Sequence, residues 1–178
     1  MLTDPLPGTL DVRKAASRGA TVRGMLKPLD LPRFRDLLAA DVGVVEAVLT
    51  LSRDEEGRYL VQVVTDSEVT VTCQRCLQPM PAQLHTDSTL AVVWTDEQAR
   101  HLPAWLDPVI VAEEEYSLRE LVEDELILAL PPFSYHEQAD CNTVLADLTA
   151  EPEADEPPKK SNPFDVLAQL KPGDTHQE

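Results

Sequence analysis

The fold of this chain is decided by the stretch Val69-Thr70-Val71-Thr72-Cys73-Gln74-Arg75-Cys76. Apolar and polar side chains alternate along it as far as Gln74, which is the period of a half-buried β-strand. The two cysteines therefore lie at the end of a strand or in a hairpin turn. A pair with this spacing can bind a metal, cycle through a disulfide or close a turn.

The residues after the cysteine pair argue against a redox role. A thioredoxin-type pair begins a helix that follows a strand, because the helix dipole lowers the pKa of a thiol there. Here the next residues are Leu77-Gln78-Pro79-Met80-Pro81, and the two prolines prevent a regular helix. This position favours metal binding or turn closure over a thioredoxin-type redox role.

Zinc binding needs two more ligands. A tetrahedral site takes four, and the chain offers His136 and Cys141, so one alternative is a structural zinc held by Cys73, Cys76, His136 and Cys141. In the other alternative the reduced pair only shapes a tight turn and Cys141 is an unrelated thiol. Both stay open, because the second tight cysteine pair that marks a zinc ribbon is missing.

The charge of the chain limits its partners. With 15 basic and 32 acidic residues the net charge is −17, which repels free nucleic acid and favours basic partners. Residues 1–35 are the exception, since seven basic and three acidic residues give them a local charge of +4. Any RNA contact is therefore expected at Arg13, Lys14, Arg18 and Arg75, unless these side chains are ordinary solvated residues.

The cysteine count and the N-terminus indicate the cytoplasm. Three cysteines in 178 residues are too few for a disulfide framework, and residues 1–10 lack the basic and apolar regions of a secretory signal. No apolar run is long enough to cross a membrane. We expect no membrane partner.

The order of periodic segments predicts an α+β fold. Helices are predicted at Asp11–Arg18 and Leu31–Ala40, and extended segments at Thr21–Leu26, Val44–Leu51, Tyr59–Val64, Glu68–Gln74, Ala82–Leu84 and Thr89–Trp94. Asp54–Gly57 is predicted as a hairpin loop and Asp66-Ser67 as a turn. Because parallel strands need longer connections than these, the strands are expected to form an antiparallel β-meander with short N-terminal helices.

A C-terminal helix with clear boundaries should pack on this sheet. Ser117 and Glu120 form a capping box, and Pro131-Pro132 stops the helix. Its leucines recur at three- and four-residue steps, which predicts one buried face. Glu123 and Asp124 are expected to face outward as a partner-binding surface, because no complete catalytic constellation accompanies them and the chain shows no sign of a small-molecule substrate.

The end of the chain differs in composition. We assign 1–147 to a single α+β domain, 148–160 to a flexible, acidic and proline-rich linker, and 161–178 to a short amphipathic helix and tail. Phe164, Leu167 and Leu170 share one face of that helix. A helix this short is unstable alone in water, so it should dock on its own domain or on a partner.

Three motifs follow one another along the chain: Cys73-Gln74-Arg75-Cys76-Leu77, then Val122–Pro131 followed by His136 and Cys141, then Asn162–Lys171. In this order and spacing they resemble the YceD family of bacterial large ribosomal RNA subunit accumulation proteins. The resemblance implies a cytoplasmic, non-enzymatic factor in synthesis, processing or stability of large-subunit (23S) ribosomal RNA, with no catalytic residues. Some members carry further cysteines after the helix, and here Cys141 and His136 would take their place as ligands.

Charge and resemblance together favour an adaptor. Phosphate contacts by Lys and Arg normally dominate RNA affinity, so a protein of net charge −17 is expected to link rRNA or a pre-ribosomal particle to a basic protein, either a ribosomal protein or a ribonuclease. The alternative is a thiol- or zinc-dependent regulatory protein that uses Cys73 and Cys76.

Overall fold

The fold combines short helices with three long consecutive strands. The structure, a computed structural model, describes residues 4–113, 115–137 and 141. In chain order the elements of this part are β1 (Thr9–Asp11), α1 (Val12–Ser17), β2 (Thr21–Leu26), a 3-10 turn (Pro28–Asp30), α2 (Pro32–Arg35), β3 (Ala40–Arg53), β4 (Tyr59–Thr72), β5 (Pro79–Val93), α3 (Asp96–Arg100), β6 (Asp107–Ile110), β7 (Glu115–Ser117) and α4 (Leu118–Ala129).

The main sheet confirms the α+β class and most of the meander. Its order in the described residues is β2-β3-β4-β5-β6, and β2 to β5 pair antiparallel through short links. The predicted hairpin at residues 54–57 joins β3 to β4, where the Asp54 carboxylate accepts a hydrogen bond from the Arg58 backbone at 2.8 Å. A separate antiparallel ribbon of β1 and β7 brings the start of α1 next to the start of α4.

Two strand predictions were wrong because polar residues continue the alternation. Asp66 and Ser67 do not form a turn; they lie inside β4, which runs unbroken from Tyr59 to Thr72. Thr65 and Ser67 occupy the buried face in step with the valines, and Thr65 shares a 2.8 Å hydrogen bond with Thr86 on β5. The same continuity joins the two segments predicted for β5.

The last strand of the sheet, β6, was not predicted from the sequence and does not belong to the antiparallel meander. β6 pairs parallel with β5, from Leu90 opposite Asp107 to Val93 opposite Ile110. The connection from 94 to 106 contains α3 and has the dozen or so residues that a parallel crossover requires. It places β6 at the edge of the sheet.

Helix α4 covers one face of the sheet as predicted. The hydroxyl of Ser117 accepts a hydrogen bond from the Glu120 backbone at 3.3 Å, and the helix ends just before Pro131. The side chains on its inner face are at most 3% exposed: Leu118, Leu121, Val122 and Leu126. They pack with the buried faces of the long strands into one hydrophobic core.

The first predicted helix is confirmed and the second is shorter than predicted. Asp11 caps α1 by accepting from the Lys14 backbone at 2.9 Å. α2 stops at Arg35, not at Ala40, because the chain is drawn into the sheet: the N–H of Ala39 donates to the Thr70 carbonyl at 2.8 Å and β3 begins.

Contacts place Met1–Cys141 in one compact unit. The predicted linker at 148–160 and the helix that carries Phe164, Leu167 and Leu170 lie outside the described residues. In the described part of the chain, every helix is too short or too polar to span a membrane.

Candidate metal centre

The cysteine pair lies in the turn that joins β4 to β5. The N–H of Cys73 donates to the Gln78 carbonyl at 2.9 Å, and the N–H of Leu77 donates to the Cys73 carbonyl at 2.8 Å. Leu77 has a φ of 60°, a left-handed conformation that costs an L-residue other than glycine about 1–2 kcal/mol. The turn therefore carries backbone strain, and it brings the thiols of Cys73 and Cys76 close together.

The segment after α4 packs against this turn. The proline pair ends the helix, and the chain then runs beside Gln74, whose backbone N–H donates to the Ser134 carbonyl at 2.8 Å. The Gln74 side chain approaches the Pro132 carbonyl at 3.4 Å. These contacts carry His136 to the cysteines, although the two segments are 60 residues apart.

The four predicted ligands converge. Their ligand atoms all lie within 4.8 Å of one another: Cys73, Cys76, His136 and Cys141. The Sγ atoms of Cys73 and Cys141 are 3.9 Å apart, and Cys76 Sγ is 3.4 Å from His136 Nδ1. A tetrahedral zinc with usual bond lengths would need about 3.8 Å between two sulfurs and about 3.6 Å between sulfur and nitrogen. The donor set therefore fits zinc in type, number and spacing.

The cysteines of this cluster are free thiols. All three cysteines are unbonded, and 3.9 Å between Cys73 and Cys141 is far longer than the about 2.05 Å of a disulfide. The structure brings the four residues together, and the arrangement is one that a metal would complete.

Local electrostatics favour a thiolate at Cys73. Burial raises the pKa of this thiol, but backbone hydrogen bonds from Cys76, His136 and Arg75 outweigh it and lower the pKa to about 5. Burial and the neighbouring sulfurs of Cys76 and Cys73 raise the pKa of Cys141. Cys73 is thus ready as a ligand at neutral pH, since the thiolate is the form that binds metal.

Arg75 takes part in this cluster. Its Nη1 lies 3.7 Å from Cys141 Sγ, and its guanidinium lies over the Tyr135 ring at 5.4 Å from the centroid. Three thiolates around a divalent ion leave one negative charge, which the arginine would balance. This role of Arg75 could not be predicted from the sequence, because the cluster forms only when the segment after α4 reaches the turn.

The predicted RNA-contact residues do not form one surface. Arg13 and Lys14 lie on α1 and Arg18 caps its end. Arg13 stacks on Trp94 at 4.0 Å from the ring centroid, beside the Tyr59 end of β4. Arg75 follows the opposite end of that strand, which puts about 43 Å of extended chain between the two groups.

The prediction that Glu123 faces outward was wrong. This side chain is only 3% exposed, and its carboxylate accepts hydrogen bonds from the backbone N–H groups of Arg33 at 2.7 Å and Phe34 at 3.1 Å. It also pairs with the Arg33 guanidinium at 2.9 Å. An acceptor was needed here because the first N–H groups of α2 have no partner within the helix. Asp124 is half exposed and pairs with Arg33 at 2.8 Å.

The acidic side of α4 instead faces a groove. A cleft of about 930 Å³, which we call the acidic groove, lies between α4 and strands β5 and β6. Its lining includes Arg33, Asp87, Trp105, Asp107, Asp124 and Glu125. The only sequence signal for it was that Glu125 falls on the edge of the apolar stripe of α4.

The family of the chain can now be stated. Residues 61–171 match the family described as Large ribosomal RNA subunit accumulation protein YceD. A protein of that name from Haemophilus influenzae is 31% identical over 167 residues, covering 93% of this chain and 96% of the relative. No solved structure matches the chain significantly. This chain belongs to the YceD family of large ribosomal RNA subunit accumulation proteins.

Proposed function

We propose that this chain promotes the accumulation of large-subunit ribosomal RNA in the cytoplasm as a non-enzymatic adaptor. The name of the family and of the Haemophilus relative supports the link to large-subunit rRNA. The partners in this proposal are the rRNA or a pre-ribosomal particle on one side and a basic protein, either a ribosomal protein or a ribonuclease, on the other. A small-molecule substrate has no part in it.

The adaptor mechanism rests on one observation, the separation of the cationic residues. Arg13, Lys14 and Arg18 lie at one end of β4 and Arg75 at the other. A duplex or a structured RNA would need several closely spaced phosphate contacts to overcome a net charge of −17. An acidic surface binds a basic protein at much lower electrostatic cost.

A pull-down tests this proposal. Tagged full-length chain is recovered from cells with and without ribonuclease treatment, and the bound basic proteins are identified. The proposal expects at least one to remain after ribonuclease. The variant carrying both Phe164→Ala and Leu167→Ala is the second arm: if 161–178 is a docking helix, recovery falls while the melting temperature of the chain stays unchanged.

Direct RNA binding is the result that would overturn the adaptor. Purified wild-type chain would then bind large-subunit RNA tightly without a protein partner, with an affinity that falls steeply as salt rises. Replacing Arg75 by Ala would reduce the salt slope by about one unit, as expected for the loss of one phosphate contact.

We also propose a structural zinc on the four convergent residues. Cys73, Cys76, Cys141 and His136 would hold it, and the ion would tie the β4–β5 turn to the segment after α4. Four protein ligands leave no open position for a substrate, which is the pattern of structural and not of catalytic sites. Support comes from the spacing of the sulfur and nitrogen atoms.

A thiol-based regulator is the competing role for the same cluster. It gains support from the 3.9 Å between Cys73 and Cys141, since a small shift of either side chain would allow oxidation. Elemental analysis of protein purified without chelator, together with thiol titration, separates the two. One zinc per chain and protected thiols support the structural site. Three freely titrating thiols without zinc refute it and leave the thiol-based role and the turn-forming role.

A further inference from the structure

We propose that the acidic groove binds a Lys- or Arg-rich amphipathic segment of a partner protein, with Glu125 as the carboxylate that pairs with its cation. The inference rests on the proposed function, because it names the surface through which the adaptor would hold its basic partner. Three features support it: the unpartnered carboxylate of Glu125, the negative charge of the groove and its exposed apolar walls.

Glu125 is a largely buried residue whose carboxylate opens on the groove. Its side chain is 7% exposed and lines the groove. Among the described residues, it forms no hydrogen bond and no ion pair. Its oxygen atoms keep contact with solvent, since Ser67 Oγ is the one side-chain polar atom of the described residues that is both fully buried and without a partner. The carboxylate is therefore available to a cation supplied by a ligand in the groove.

Glu123, on the same helix, has a carboxylate with a full set of partners. It is 3% exposed and accepts hydrogen bonds from two backbone N–H groups and from the Arg33 guanidinium. Arg33 is also engaged by Asp124, so its fork is already shared between two carboxylates. In the described structure Arg33 therefore does not serve as the counter-charge of Glu125.

The groove as a whole is negative. Four acidic residues line it, Asp87, Asp107, Asp124 and Glu125, against one arginine, Arg33, which gives 1 − 4 = −3 with histidine neutral. Asp107, on the edge strand β6, is exposed and forms no ion pair within the described residues. This excess selects a basic ligand and rejects a nucleic-acid backbone.

Two exposed apolar side chains flank the carboxylates. Trp105 is 70% exposed and Leu128 is 79% exposed, and both line the groove. Large apolar side chains around a buried charge are the composition of binding hot spots, in which tryptophan is enriched. Helix α4, with 12 residues, is about 18 Å long, enough for two or three turns of a docked helix. The occupant must therefore carry an apolar side chain next to its cations.

Site-specific photo-cross-linking in living cells tests the occupant. A photo-reactive phenylalanine analogue replaces Leu128 in the full-length chain, and the matched control carries it at Val42, which is 71% exposed and does not line the groove. We expect a ribonuclease-resistant cross-link from position 128 to a Lys- or Arg-rich segment of another protein. No cross-link above the Val42 control would overturn the proposal. A cross-link to residues 161–171 of this chain, or to a second copy, would overturn it as well.

Charge variants test the role of Glu125. Glu125→Gln should reduce the cross-link at position 128 by about fivefold or more, since a buried charge pair is lost. Glu120→Gln, on the same helix but outside the groove, should change it less than about twofold. The melting temperature of Glu125→Gln should stay close to that of the wild type, because the carboxylate has no partner among the described residues to lose. If Glu125→Gln does not fold, Asp107→Asn takes its place. This substitution at an exposed position should lower the cross-link yield at position 128. An unchanged yield in the variants that fold would contradict the proposal.

The readouts separate this inference from the proposed function. If a basic protein cross-links at position 128 in cells whose large-subunit rRNA does not depend on this chain, the groove is supported and the proposed function is contradicted. If the chain supports rRNA accumulation and the Glu125→Gln variant cross-links as strongly as the wild type, the proposed function is retained and the groove is refuted.

Discussion

Cys73→Ser is the substitution that most sharply tests the metal centre. Cys73 is fully buried and its thiol is the one held as a thiolate, so serine removes a ligand with little change of volume. If the cluster holds zinc, the variant should lose the metal, and the segment after α4 should lose its link to the β4–β5 turn.

The magnitude follows from the loop that the metal would close. Cys76 and His136 are 60 residues apart. A cross-link that closes a loop of about 60 residues lowers the entropy of the unfolded chain by an amount worth about 4 kcal/mol. For a chain of this size each kcal/mol shifts the melting temperature by about 2–4 °C, so Cys73→Ser should lower it by about 8–16 °C at most. The hydrogen bond from Gln74 to Ser134 remains and reduces the loss.

The assay is thermal unfolding of wild type and variant, each with and without a zinc chelator. Chelation should lower the melting temperature of the wild type to that of Cys73→Ser and leave the variant unchanged, because both then lack the same cross-link. Equal chelator effects in the two proteins, or a wild type purified without zinc whose melting temperature ignores the chelator, would refute the metal centre and leave Cys73 with a turn-forming role.

Three further predictions test the surrounding structure. Glu123→Ala should lower the free energy of unfolding by about 3 kcal/mol in urea titrations, because two backbone N–H groups of α2 lose their acceptor. Asp124→Asn, the control, should change it little. Equal effects of the two substitutions would contradict the role of Glu123 as a buried cap of α2. Leu77→Asn should stabilise the chain by up to about 1 kcal/mol, since asparagine tolerates a φ of 60°, and Leu29→Asn should not. Burial raises the pKa of Tyr116, and nearby carboxylates of α4 raise it further, so one tyrosine should ionise late in absorbance at 295 nm and Tyr116→Phe should remove it. The stability this tyrosine contributes below its ordinary pKa should be lost as the pH rises past the raised value.

The strongly periodic parts of the fold could be predicted from the sequence. The capping box at Ser117 and the proline pair after Leu130 mark both ends of α4, and alternating valines mark the buried face of β4. The strand prediction was broken at Asp66-Ser67, because two successive polar residues are typical of a turn. In the sheet, Thr65 and Ser67 occupy buried positions, and one of them finds a partner across the strands.

The features that were missed depend on contacts between distant segments. Glu123 lies on the outward side by helical spacing, but α2 packs over that side and its N–H groups need an acceptor. The parallel pairing of β6 follows from a crossover through α3. This helix has only five residues and shows no clear helical periodicity in the sequence. The four metal-site candidates could be identified by residue type, whereas their convergence required the contact between Gln74 and Ser134.

The central claim is that this chain sustains large-subunit ribosomal RNA. The most direct test is the ratio of large- to small-subunit rRNA in total RNA from cells whose gene for this chain has been deleted, with the wild-type gene restored as the control. The ratio is expected to fall on deletion and to recover when the wild-type chain is restored. A ratio that is unchanged by the deletion would contradict it.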